Sequence, residues 1–104
     1  MENNKTYTKI QPSGVLINNG DTFGFGLHSL AYTQSSTNRE LRLDCESCSS
    51  DTPVPYSIVT VYWNNNPCWN DGTALTTQEI EDIKDSFENG GSVINCEIYN
   101  KNPC

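Results

Sequence analysis

"TTQEIEDIKDSFENGG" (residues 76–91) is the stretch whose periodicity decides the fold class. Thr76 stands three residues before Glu79, the spacing of a capping box, in which a hydroxyl and a carboxylate satisfy backbone N–H groups left bare at a helix start. Leu75 precedes the cap and is placed to staple onto Ile80. Ile80, Ile83 and Phe87 recur at helical spacing and form one apolar stripe. Of the acidic residues, Glu81, Asp82, Asp85 and Glu88 fall on the solvent side, while Glu79 serves the cap. Asn89-Gly90-Gly91 is the composition of a helix end. The spacing predicts a helix over 76–88.

Outward from the helix, everything reads as strand. After it, "SVINCEIYN" (92–100) puts Ile94, Cys96 and Ile98 on one face. Before it, "YSIVTVYW" (56–63) is apolar on both faces, which predicts a central strand covered on both sides. "RELRLDC" (39–45) alternates, with Leu41, Leu43 and Cys45 inward. "ESCSSDTPVP" (46–55), with clustered serines and two prolines, predicts irregular chain. Val15 to Ile17 leads into Asn18-Asn19-Gly20-Asp21, read as a hairpin whose Asn-Gly supplies the positive φ of a two-residue turn. The return strand carries Phe23, Phe25 and Leu27 on one face and Gly24, Gly26 and His28 on the other. Past Ser29 the apolar phase shifts to Leu30 and Tyr32, which predicts a β-bulge at 28–29. Several strands, one helix and one strand give an α+β class: a small antiparallel sheet of about six strands, flat or curled, with one helix packed on one face.

A chain of 104 residues has room for one core, so residues 1–104 are read as a single β-rich domain. Six basic against thirteen acidic residues, net charge −7, oppose a nucleic-acid binder, whose affinity rests on Lys and Arg neutralising phosphates. The apolar run at 56–63 is too short to cross a bilayer, so no membrane partner is expected. "MENNKTYTKIQPSG" has no apolar segment of the signal-peptide kind, and synthesis in the cytoplasm is the expectation.

Five cysteines are many for this length. Cys96 lies in phase with Ile94 and Ile98 and reads as a small core hydrophobe. Cys45, Cys48, Cys68 and Cys104 read as loop cysteines with three fates. Unpaired thiols suit a reducing compartment; a Cys68–Cys104 disulfide suits an oxidising one; and all four thiolates together would make a candidate zinc site, although Cys45-x-x-Cys48 lacks a second close-spaced pair. The pairing argument comes from a repeat. "NNNPC" (64–68) returns as "NKNPC" (100–104), each proline four residues after an aromatic, and Asn-Pro ends a strand because proline cannot donate to the ladder. Acidic neighbours Asp44, Glu46 and Asp51 argue against a redox-active Cys-x-x-Cys, since they raise a thiol's pKa.

The single histidine, His28, has no nucleophile at a recognisable spacing, and the "NNNPCWNDG" stretch lacks the closing glutamate of a calcium loop. No enzyme activity and no obligatory cofactor are expected. Trp63 and Trp69 flank the first Asn-Pro-Cys turn and read either as anchors for a protein contact or as cover for their own core. The bare Gly24/Gly26 patch and the polar N-terminal segment complete a candidate contact surface. The expected function is a non-catalytic structural or assembly protein that docks on copies of itself or on a larger body, in the manner of an accessory component of a virus or phage particle. The alternative is an acidic inhibitor or immunity-type protein that meets a basic partner through the helix.

Overall fold

The capping box forms as its spacing dictates. In the computed structural model, which describes residues 5–10, 14–26, 28–49 and 57–101 (backbone alone at 48 and 49), helix α1 spans Thr77–Gly90 behind the Thr76 cap. Glu79 N–H donates to Thr76 Oγ1 at 3.1 Å, and Thr76 N–H donates to Glu79 Oε1 at 2.9 Å. Arg39 reaches the same carboxylate at 3.3 Å. Burial alone would raise the Glu79 carboxyl, but the Thr76 N–H, the neighbouring Trp69 and Gln34 side chains and the Arg39 charge together outweigh it and hold it below its usual range.

The stripe packs as its spacing predicts. Ile83 and Phe87 are buried and Ile80 is partly buried against the same core. The end of the helix differs from the expectation. Gly91 is right-handed, the chain continues as a 3-10 turn over Gly91–Ile94, and the left-handed stop is Asn95 at φ 53°. The two glycines serve close approach instead. A Cβ on Gly90 would lie 2.9 Å from the Tyr7 ring, and one on Gly91 would lie 2.6 Å from the Cys96 carbonyl oxygen.

Seven strands make one strongly curled sheet in sequential order: β1 (Tyr7–Ile10), β2 (Gly14–Ile17), β3 (Thr22–Gly26), β4 (Ser29–Gln34), β5 (Arg39–Ser49), β6 (Ser57–Tyr62) and β7 (Cys96–Lys101). Every neighbouring pair is antiparallel except β6 and β7, which run parallel. Parallel neighbours need a long crossover, and α1 with its 3-10 turn provides it. The α+β reading therefore holds, with one parallel pair and one strand more than about six.

That strand is β1. Residues 7–10, read as part of a polar docking segment, pair with β2 from Tyr7–Ile17 to Ile10–Gly14. Lys5 continues the attachment, its Nζ donating to Ser86 Oγ at 3.2 Å. The predicted bulge is a hairpin. Gly26 pairs with Ser29, leaving only positions 27 and 28 between β3 and β4, and His28 takes φ 59°. The phase shift seen in the sequence is the reversal of the chain. The Asn18–Gly20 turn also differs from a two-residue type. Gly20 N–H donates to Ile17 O, Ile17 N–H donates to Asp21 O, and Gly20 alone has positive φ, at 100°. This is the pattern of an ordinary turn followed by a left-handed glycine. Finally, β5 runs on to Ser49 through residues expected to be irregular, because β6 offers a continuous ladder from Asp44–Tyr62 to Ser49–Ser57.

β6 is central, with β5 on one side and β7 on the other. Its Val59 and Val61 are buried, but Ile58 and Tyr62 on the opposite face are only partly covered. The core lies on the concave side. Phe87 contacts Phe23 edge-on with centroids 5.1 Å apart, Tyr32 at 6.1 Å and Trp63 at 6.3 Å. Among the described residues no helix is long and apolar enough to cross a membrane.

Two substitutions test this packing by urea unfolding. Phe87→Ala is expected to cost about 3–5 kcal/mol, the loss typical of a fully buried ring. Gly91→Ala, which forces a methyl against a backbone oxygen, should cost about 1–3 kcal/mol. An unchanged midpoint in either variant contradicts the contact it removes or crowds.

Candidate functional site

Strand phase separates the cysteines. Cys45 is not in a loop: it is buried on the concave face of β5, in register with Val61. Cys48 lies on the same strand, paired with Ile58, and its side chain is outside the described residues, as is Cys104. Cys68 is exposed beyond β6 and bridges to Ala74, its Sγ 3.5 Å from Asn66 O. Cys45, Cys68 and Cys96 are free thiols. Among the described residues no group of three His, Cys, Asp or Glu side chains is placed to hold a metal ion.

The strands that carry the two Asn-Pro-Cys phrases are parallel neighbours. The ladder joins residues 39 apart, as in Tyr62 with Lys101, whereas the phrases lie 36 apart, so they are staggered by three residues. Asn100, the first residue of the second phrase, is still within β7 and accepts from Trp63 Nε1 at 2.9 Å.

Trp63 and Trp69 do not stand on the surface. They are 5% and 2% exposed and belong to the core, each beneath a cation: Lys84 over Trp63 at 5.3 Å and Arg39 over Trp69 at 4.7 Å. The own-core reading of these aromatics is the one the structure shows. Gly24 pairs with Gly14 on one side and Ala31 on the other, and Gly26 is exposed at the strand end. His28 is exposed at the tight turn, and its carbonyl accepts from Cys45 N–H at 3.1 Å.

Two of the open features of the described surface bear on function, and the second includes Gly26 and His28. The first is the outer edge of β7. Asn95 and Lys101 carbonyls face β6, accepting from Ser57 and Trp63 N–H, so the alternating backbone groups of Ile98 and Asn100 point to the free side. Beside them runs a groove of about 420 Å³ between Glu88, Ser92 and the strand. Glu97, Tyr99 and Lys101 line the outer face, and Tyr99 is 53% exposed.

The second is the mouth of the curled sheet, at the end the helix does not cover. There the concave positions change from large apolar side chains to small ones: Leu43 gives way to Cys45 and Ser47 on β5, and Val61 to Val59 and Ser57 on β6. Small side chains leave volume, and a cavity of about 360 Å³ opens between them, Phe25 and Ile94. Lys9 and His28 stand on its lining. Burial pushes the Cys96 thiol up to about 11, helped by the neighbouring Cys45 and Glu97, and raises Cys45 as well, helped by Asp44. Both thiols are therefore protonated at neutral pH and poor nucleophiles.

The chain matches no protein-family model, no curated protein and no solved structure.

Alkylation rates follow from these environments. With iodoacetamide at pH 8 and peptide mapping, Cys68 should be modified well before Cys45 and Cys96, and modification of Cys96 should accelerate as the pH approaches 11. Equal rates at the three sites would mean that the two strand thiols are not buried.

Proposed function

We infer that the protein is a non-catalytic assembly module that pairs with a second copy of itself along the β7 edge. The observation that carries this reading is the self-complementarity of that strand. In an antiparallel pair about a two-fold axis at Tyr99, Glu97 of each copy stands opposite Lys101 of the other, and Ile98 stands opposite Asn100. Opposite charges directly across a strand pair are favourable, and like charges are not. The backbone alternation agrees: Ile98 and Asn100, which direct N–H and C=O outward, become the hydrogen-bonded pair. Tyr99 meets Tyr99 at the closer, non-hydrogen-bonded position, which covers the most exposed large hydrophobic side chain among the described residues.

The same geometry sets a limit. Gly91 lies against the Cys96 carbonyl, so the 3-10 turn closes the start of the edge and leaves Glu97 to Lys101 for pairing. A ladder that short predicts a concentration-dependent dimer whose sheet runs on through both copies.

Sedimentation equilibrium tests the reading by charge reversal. The unmodified chain should form dimers, Glu97→Lys and Lys101→Glu should each shift it to monomer, and the two changes together should restore the dimer. A chain that stays monomeric throughout, or single variants that dimerise normally, would overturn the proposal. A monomer that instead captures a basic protein through Glu81 and Asp85 would favour the inhibitor reading.

A further inference from the structure

We propose that the mouth of the curled sheet is a binding site for a small molecule with one anionic head and a short apolar body. The inference is independent of dimerisation, since the cavity opens on the concave face and the β7 edge lies outside it.

The apolar part of the argument is a patch within a mostly polar lining. Phe25, Val59 and Ile94 face a space of about 360 Å³ that the helix leaves uncovered, and the protonated thiols of Cys45 and Cys96 add soft, weakly polar walls. Cavities of this size at the mouth of a curled sheet suit a small ligand better than a peptide. The anionic half is the charge of the lining. Among the described residues no carboxylate lines the cavity, in a chain of net charge −7, while the ionisable nitrogen groups that do line it are Lys9 and His28. Their positions are set by the backbone. Lys9 pairs with Val15, which is fully buried, so the lysine shares the concave face although it lies at the open end. Neither side chain has an ion-pair partner among the described residues. Ser47 and Ser57, on adjacent strands of the same face, add hydroxyls to the lining. An anion held by Lys9 and His28 at the rim would direct its apolar portion inward over Phe25 and Val59.

Hexanoate is a suitable probe, with hexylammonium and 1-hexanol as chain-matched cationic and neutral controls, followed by amide chemical shifts of the intact chain. Hexanoate is expected to move the amides of Cys45, Ser47, Ser57, Val59 and Cys96 and to slow alkylation of Cys45 and Cys96. Lys9→Ala removes a charge from an exposed edge position and should weaken hexanoate by about tenfold, the effect of losing one charge-assisted contact. The same variant should leave 1-hexanol unchanged. Hexylammonium binding as tightly as hexanoate, or hexanoate shifts confined to residues away from the mouth, would overturn the proposal. So would wild-type affinity in Lys9→Ala. A double variant, Ser47→Leu with Ser57→Leu, fills the cavity from two exposed or half-exposed positions and should abolish binding while the far-UV spectrum is retained.

Discussion

Phe87 is the object around which the sheet is wrapped. Its ring lies against Phe23 of β3, Tyr32 of β4 and Trp63 just beyond β6, so one side chain of the helix touches both halves of the chain's strand succession. A seven-stranded sheet in strictly sequential order has no topological reason to close on itself. It curls because one face is apolar and, among the described residues, one amphipathic helix covers it. The supporting contacts serve the same end. Arg39 ties the capping carboxylate to the start of β5, and Gly90 lets β1 and β3 approach the last turn of the helix.

The turns show how local chemistry sets the strand boundaries. Ile17-Asn-Asn-Gly-Asp and Trp69-Asn-Asp-Gly-Thr fold alike. In each, the first residue's N–H donates to the fifth carbonyl and the glycine, with φ of 100° or 90°, donates back to the first carbonyl. In each, the side-chain oxygen of the third residue, Asn19 or Asp71, accepts from the fifth N–H at 2.9 Å. The same bond from Thr73, the largest of several, lowers the Asp71 carboxyl below its usual range. These two loops are the repeat whose conformation recurs. In the first of them Asp21, 8% exposed, also accepts from the Tyr32 hydroxyl and from Ser35 N–H at 2.9 Å, so the β2–β3 turn is locked to the β4–β5 turn beside it.

What was legible in the sequence was whatever a short window determines. The capping box, the Ile80–Ile83–Phe87 stripe, the inward phase of Leu41, Leu43 and Cys45 and the burial of Cys96 depend on neighbours a few positions away. What was not legible depended on partners distant in sequence. Serines at 47 and 49 enter a strand because β6 presents a ladder to them, and a polar segment at 7–10 becomes a strand because β2 has an open edge. Trp63 and Trp69 look like surface anchors in an Asn-rich loop, yet Asn100, Lys84 and Arg39 from three other elements enclose them. The tight β3–β4 turn was hidden because His28 adopts a left-handed conformation with no glycine to announce it. The candidate sites share this origin: neither the β7 edge nor the mouth has a motif, since both are made by where the sheet stops.

The two ends of the concave face then make different demands on composition. Under the helix, Leu41 and Leu43 on β5, Val61 on β6 and Trp63 just beyond it fill the space that Phe87 leaves. Toward the mouth the same two strands carry Cys45, Ser47, Val59 and Ser57, too small to meet across the curl. Folding alone would favour larger apolar residues there, because closing the space would gain dispersion contacts and bury more surface. β5 extends beyond Ser29, where β4 begins, so at this small-residue end its ladder continues with β6 alone among the described strands. Small groups on the concave side of β5 and β6, faced by Lys9 and His28, keep open a space that larger apolar residues would close.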